Sequence, residues 1–230
     1  MKNGKRFLCS AAFAVLCVVV PELTVSAAGA EPFHVSVAGL KALFRRVCGY
    51  MNVDPGRVDL EIIPDASQLV GTLPEYTYRS EGPAGLHFGG NEEERPLIGV
   101  KQSLLEDPLL VVATLAHELG HVILLGGGHL RHDSEDMEPM TDLVTVYLGL
   151  GIFNANAARR FLQFQDQRRA GWSMNRLGYL PEEVFAYALA RFAKDRGETR
   201  PAWAAHLSTN LKVYFRKSAE WLERDARPIE

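Results

Sequence analysis

The stretch "DPLLVVATLAHELGHVILLGGG", residues 107–128, reads as one long helix. Asp107 is placed to cap it, Pro108 suits the first helical position, and the three glycines at 126–128 stop it near Leu125. Inside it stands His117-Glu118-Leu119-Gly120-His121. Residues four apart on a helix share a face, one turn apart, so His117 and His121 can direct their imidazoles at one ion. Glu118 lies about 100° round the axis from His117. It misses the ligand direction but can reach a water held by that ion. Two neutral imidazoles, a third protein ligand, an open position for water and a carboxylate base are what zinc-assisted hydrolysis requires. The expectation is one zinc ion with His117 and His121 as ligands and Glu118 as general base.

The third ligand has to come from downstream, where His129, His132, Asp133, Glu135, Glu138 and Asp142 are all candidates. A third histidine in the H-E-x-x-H-x-x-G-x-x-H pattern would need glycine at 124 and histidine at 127; the chain has Leu124 and Gly127. His129 and His132 sit in a glycine-rich loop of no fixed register. Glu138 and Asp142 are four apart at the start of a second predicted helix and therefore share a face. Glu138 can reach the ion, and Asp142 can accept the other ring N–H of a ligand histidine and fix its tautomer. The spacing favours Glu138. Glu135, Asp142 as a direct ligand, and a loop histidine remain its rivals. Pro139, directly after Glu138, is tolerated only within a first helical turn and makes the register there the weakest step.

The pentad and the downstream pair, His117-Glu118-x-x-His121 with Glu138-x-x-x-Asp142, resemble the gluzincin pattern of thermolysin-like metallopeptidases, and the short spacing is closer to the compact minigluzincins. Over about a quarter of the chain, that resemblance implies that His117, His121 and Glu138 bind zinc, Glu118 is the base and Asp142 supports a ligand histidine. It also implies a small sheet ahead of the active-site helix. Stretches around residues 141–158 and 178–198 are similar to uncharacterised bacterial proteins that share the pentad, which adds no function.

Outward from the long helix, residues 35–51 have apolar residues at helical spacing, from Val37 through Leu40, Leu43, Phe44, Val47 and Cys48 to Met51, with Ser36 as cap. Residues 57–63 alternate and are β-branched, which predicts a strand. "AGLHF" and "PLIGV" flank the polar "GGNEEER" and predict a hairpin. The second helix is predicted from Asp136 or Met137 to about Leu150. Residues 161–180 are ambiguous. Two further helices are expected, one opened by Pro181 and stopped by Gly197, and a last one over residues 210–225. The order predicts an α+β fold: a small antiparallel or mixed sheet before the active-site helix, then a mostly helical C-terminal half.

The 230 residues, 47% hydrophobic and 23% charged, are enough for one sizeable domain. A net charge of −3 gives no reason to expect nucleic acid. Lys2, Lys5 and Arg6 precede an apolar run over residues 7–20 and then Ala28-Gly29-Ala30, the pattern of a cleaved secretory signal. The expected layout is a signal peptide over residues 1–30, cleaved after Ala30, and one zincin-like domain over 31–230, secreted or periplasmic. Membrane contact would require the segment to stay attached. Cleavage would leave Cys48 as the one cysteine, on an apolar helix face and so a small buried hydrophobe. For an oxyanion donor, Tyr147, Tyr179, His87, His129, His132 and His206 are conceivable and none is singled out. Tyr147 is expected in the core and His206 is expected to be packed. Peptide or protein substrate is the leading expectation. The alternative is a non-proteolytic zinc module whose metal pins the helix pair for a partner.

Overall fold

A computed structural model describes residues 35–64, 85–88, 95–131, 134–166 and 180–225. The expected signal segment lies outside the described residues, as does residue range 167–179 of the ambiguous stretch. Helix α1 is Val37–Met51, with the Ser36 hydroxyl accepting from Gly39 N–H at 3.1 Å. It buries Leu40, Leu43, Phe44, Val47, Cys48 and Met51, while Val37, expected on the same face, is 56% exposed at the first turn. Burial pushes the Cys48 thiol up to about 12, in keeping with an inert core residue.

Three strands follow: β1 Asp59–Ile63, β2 Gly85–Phe88 and β3 Leu97–Lys101. Their order is β1-β3-β2. The predicted hairpin is present as the antiparallel pair β2–β3, with Gly85 opposite Val100. β1 runs parallel to β3, with Asp59 opposite Leu97, so the sheet is mixed. Ile98 and Val100 of the central strand are fully buried. β1 starts two residues later than predicted. Pro55–Arg57 forms a single 3₁₀ turn, capped by Asp54 Oδ1 accepting from Gly56 N–H at 2.9 Å.

Helix α2, Pro108–Gly126, opens as expected: Asp107 Oδ1 accepts from Leu109 and Leu110 N–H at 3.0 and 3.3 Å. Every residue from Leu110 to His121 is buried. A helix apolar on nearly all sides belongs at the centre of a core, and α2 touches α1, strands β2 and β3, and the next two helices. Those are α3, Met137–Tyr147, and α4, Gly151–Asp166. The second helix was predicted to continue to Leu150. It ends at Tyr147 because Gly149 adopts φ +88° and the chain folds back, Leu150 N–H to Thr145 O at 2.8 Å and Gly149 N–H to Val146 O at 3.0 Å. This is the glycine-terminated helix stop that a left-handed residue permits. The reversal starts α4, which the sequence pattern does not announce. Helices α5, Glu182–Asp195, and α6, Thr209–Asp225, form as predicted, and they pack against each other. The result is an α+β fold, largely helical after the sheet.

Helix α3 packs tightly over Gly120 of α2. A Cβ added there would stand 2.8 Å from Thr141 Cγ2 and 3.3 Å from the Thr141 carbonyl oxygen. Gly120→Ala should therefore destabilise the protein by about 1–3 kcal/mol through overpacking. Adding Thr141→Ser, which removes the opposing methyl, should restore most of the loss in a denaturant titration. A single mutant as stable as the wild type would show that the two helices are not held at this distance.

Candidate metal centre

The long central helix carries its two histidines into the core, both 3% exposed. Their rings meet edge to face, with centroids 4.9 Å apart. A buried imidazole needs partners for both ring nitrogens, and α3 supplies them. His117 Nδ1 stands 3.0 Å from Asp142 Oδ1, and its Nε2 stands 3.0 Å from Glu138 Oε2. His121 Nε2 lies 3.4 Å from the same Glu138 oxygen, and its Nδ1 lies 3.2 Å from Thr141 Oγ1. One ligand atom from each of His117, His121 and Glu138 falls within 4.8 Å of the others, a group able to hold a metal ion. Ligands about 2.0–2.1 Å from a tetrahedral ion are about 3.3–3.4 Å from one another. The His121–Glu138 separation falls on that edge, and the His117–Glu138 separation is somewhat shorter.

Asp142 has two tasks. It is fully buried; one oxygen takes the His117 ring and the other accepts from Leu180 N–H at 2.8 Å. The contact ties α2, α3 and Leu180, two residues before α5, to one carboxylate. Glu118 is 3% exposed, and its Oε2 accepts no hydrogen bond among the described residues. Burial raises the Glu118 carboxyl above its usual range, against the pull of the two histidines. Burial would raise Glu138 too, but its contacts with His117 and His121 outweigh it and hold that carboxyl well below the usual range. For His117, burial opposes the charged form, yet Asp142 and Glu138 overcome it and raise its pKa well above the ordinary imidazole value.

Two of the rival third ligands stand apart from the group. Glu135 is exposed on the turn before α3 and His129 is exposed beyond the end of α2; neither belongs to the group. His132 and Asp133 lie outside the described residues. Pro139 is the third residue of α3, where its missing N–H has no helical partner to lose, so Glu138 and Asp142 keep one face. Two expectations among the conceivable donors fail. Tyr147 is 77% exposed rather than in the core: nine residues at about 100° each put it half a turn round α3 from Glu138. His206 is exposed on the 3₁₀ turn Ala202–His206 rather than packed. The side chain of His87 and all of Tyr179 lie outside the described residues. Sequence reasoning missed Gly120, Thr141 and Leu180. Thr141 had a detectable signal, since it is a polar residue three positions after Glu138 on the same helical face.

Asp142 and Glu138 favour the charged form of the metal-free His117, so a metal ion has to compete with a proton there. Zn2+ affinity should therefore rise with pH, up to about tenfold per unit, until His117 is neutral in the free protein. Calorimetric titration with Zn2+ at neutral pH in buffers of different ionisation enthalpy should show about one proton released per ion. Buffer-independent heats would contradict the assigned charge of His117.

Compared with protein-family models, curated proteins and solved structures, the chain matches none. What the geometry bears out is a group of His117, His121 and Glu138 able to hold a metal ion.

Proposed function

We propose that the chain is a zinc-dependent peptidase in which His117, His121 and Glu138 hold one zinc ion and Glu118 is the general base. Glu118 itself carries this reading. Its carboxylate is buried beside both histidines with Oε2 unpartnered among the described residues. Leaving a buried acceptor unsatisfied costs about 1–3 kcal/mol or more. A metal that only pins α2 to α3 has no use for such a group, which disfavours the purely structural zinc module. A general base does use it, because desolvation raises its basicity toward the working pH.

Two imidazole nitrogens and one carboxylate oxygen form a three-ligand set of the catalytic type. When bound, zinc supplies a Lewis acid and lowers the pKa of the water it holds to about 7. The chain's own residues do the rest. Glu118 takes a proton from the attacking water and returns it to the leaving amine nitrogen. Asp142 keeps the His117 ring in the orientation that presents Nε2 to the site. Glu138 is one-third exposed, so the ligand group meets solvent on its side, where a peptide would enter. The basic-then-apolar pattern of the first thirty residues fits an activity outside the cytoplasm, on peptide or protein substrates there.

Glu118→Gln should retain one zinc ion per chain and lose hydrolysis of a peptide library by at least about a hundredfold. Cleavage at the wild-type rate by the zinc-loaded variant would remove Glu118 from the reaction. A wild-type protein that binds zinc but cleaves no peptide would return the structural module to first place.

A further inference from the structure

We propose that Thr141 is the positioning residue of His121, its hydroxyl accepting from Nδ1–H and thereby leaving Nε2 unprotonated toward the ligand group. The proposal rests on the reading of His121 as a metal ligand. Thr141 is fully buried, and its Oγ1 lies 2.8 Å from the Met137 carbonyl oxygen and 3.2 Å from His121 Nδ1. A carbonyl oxygen only accepts, and a hydroxyl has one hydrogen. The 2.8 Å separation is the usual length of an O–H···O bond, so the hydrogen goes to Met137. Oγ1 then meets Nδ1 with a lone pair, and that nitrogen has to bear the proton. A neutral imidazole carries only one, which leaves Nε2 bare. That bare nitrogen faces Glu138 Oε2 at 3.4 Å, and two lone pairs at that distance call for a shared cation.

The side chain's shape holds the arrangement in place. In a helix threonine divides between two rotamers because its hydroxyl can bond the carbonyl one turn back. Here one rotamer is selected at both ends: Oγ1 bonds Met137, while the methyl occupies the space where Gly120 has no Cβ. The two histidines are thus oriented by different chemistry, His117 by the Asp142 carboxylate and His121 by an uncharged hydroxyl.

The test uses the full chain with histidine ring nitrogens labelled with ¹⁵N, metal-free and at mildly alkaline pH, together with Zn2+ affinity measured against a competing chelator. Wild type and Thr141→Ser should show His121 as the Nδ1–H tautomer and bind Zn2+ within a few-fold of each other. Thr141→Val keeps the shape and loses the acceptor. It should switch His121 to Nε2–H, donating to Glu138, and weaken Zn2+ binding by about 10–100-fold. An Nε2–H tautomer in the wild type would overturn the proposal without any variant having to fold. So would a folded Val variant that binds Zn2+ as tightly as the wild type. A wild-type protein with the Nδ1–H tautomer that binds no Zn2+ would refute the metal site and leave Thr141's hold on the tautomer standing.

Discussion

His117 is clasped between two carboxylates, Asp142 at Nδ1 and Glu138 at Nε2, each at 3.0 Å. Most of the molecule's organisation depends on that contact. An imidazole on the central helix of a core cannot be left without partners, and both partners come from the following helix. Asp142 also holds the Leu180 N–H, so the joint reaches the C-terminal helix pair as well. Docking α3 on α2 and assembling the ligand group are therefore one event.

The same economy explains the glycine in the pentad. Gly120 lies between the two histidines on the face that α3 covers, and Thr141 fills the space above it. A residue that seems a spacer in "HELGH" sets how near the second helix can come. Nearness then decides whether a short side chain such as Asp142 or Thr141 can span to an imidazole. Longer residues on α3 could bridge a wider gap, but at greater entropic cost and with a looser hold on the rings. Charge is spread unevenly around the pair: one histidine has carboxylates on both nitrogens, whereas the other has a hydroxyl on one of its two.

What could be read along the chain followed from short-range rules. Ser36 and Asp107 cap α1 and α2 where expected, because capping depends on a few neighbouring residues. The β2–β3 hairpin was legible for the same reason. The misreadings arose where a local rule was overruled or had no signal to act on. Apolar residues at 143, 144, 146, 148 and 150 suggest a helix continuing to Leu150, yet Gly149 at positive φ turns the chain. Tyr147 shares a predicted apolar run but points away from the core, since periodicity names a face and packing chooses which face is covered. The parallel pairing of β1 with β3 has no local signature at all, because it joins strands separated by more than thirty residues.

For the site, the sequence by itself determined the chemistry. A pentad on a helix places His117, Glu118 and His121 by the 3.6-residue repeat alone, and a second helix places Glu138 and Asp142 on one face by the same geometry. It could not decide which of the downstream acids meets the histidines, because that depends on the angle and distance between two helices joined by a glycine-rich turn. Only the tertiary structure set Glu138 against both Nε2 atoms, assigned Asp142 to the far side of His117, left Glu135 exposed and brought Thr141 to His121. The physical reason is that helical periodicity is carried by bonds four residues apart, whereas the spacing of α2 and α3 is carried by what fills the gap between them, the Thr141 methyl over Gly120 included.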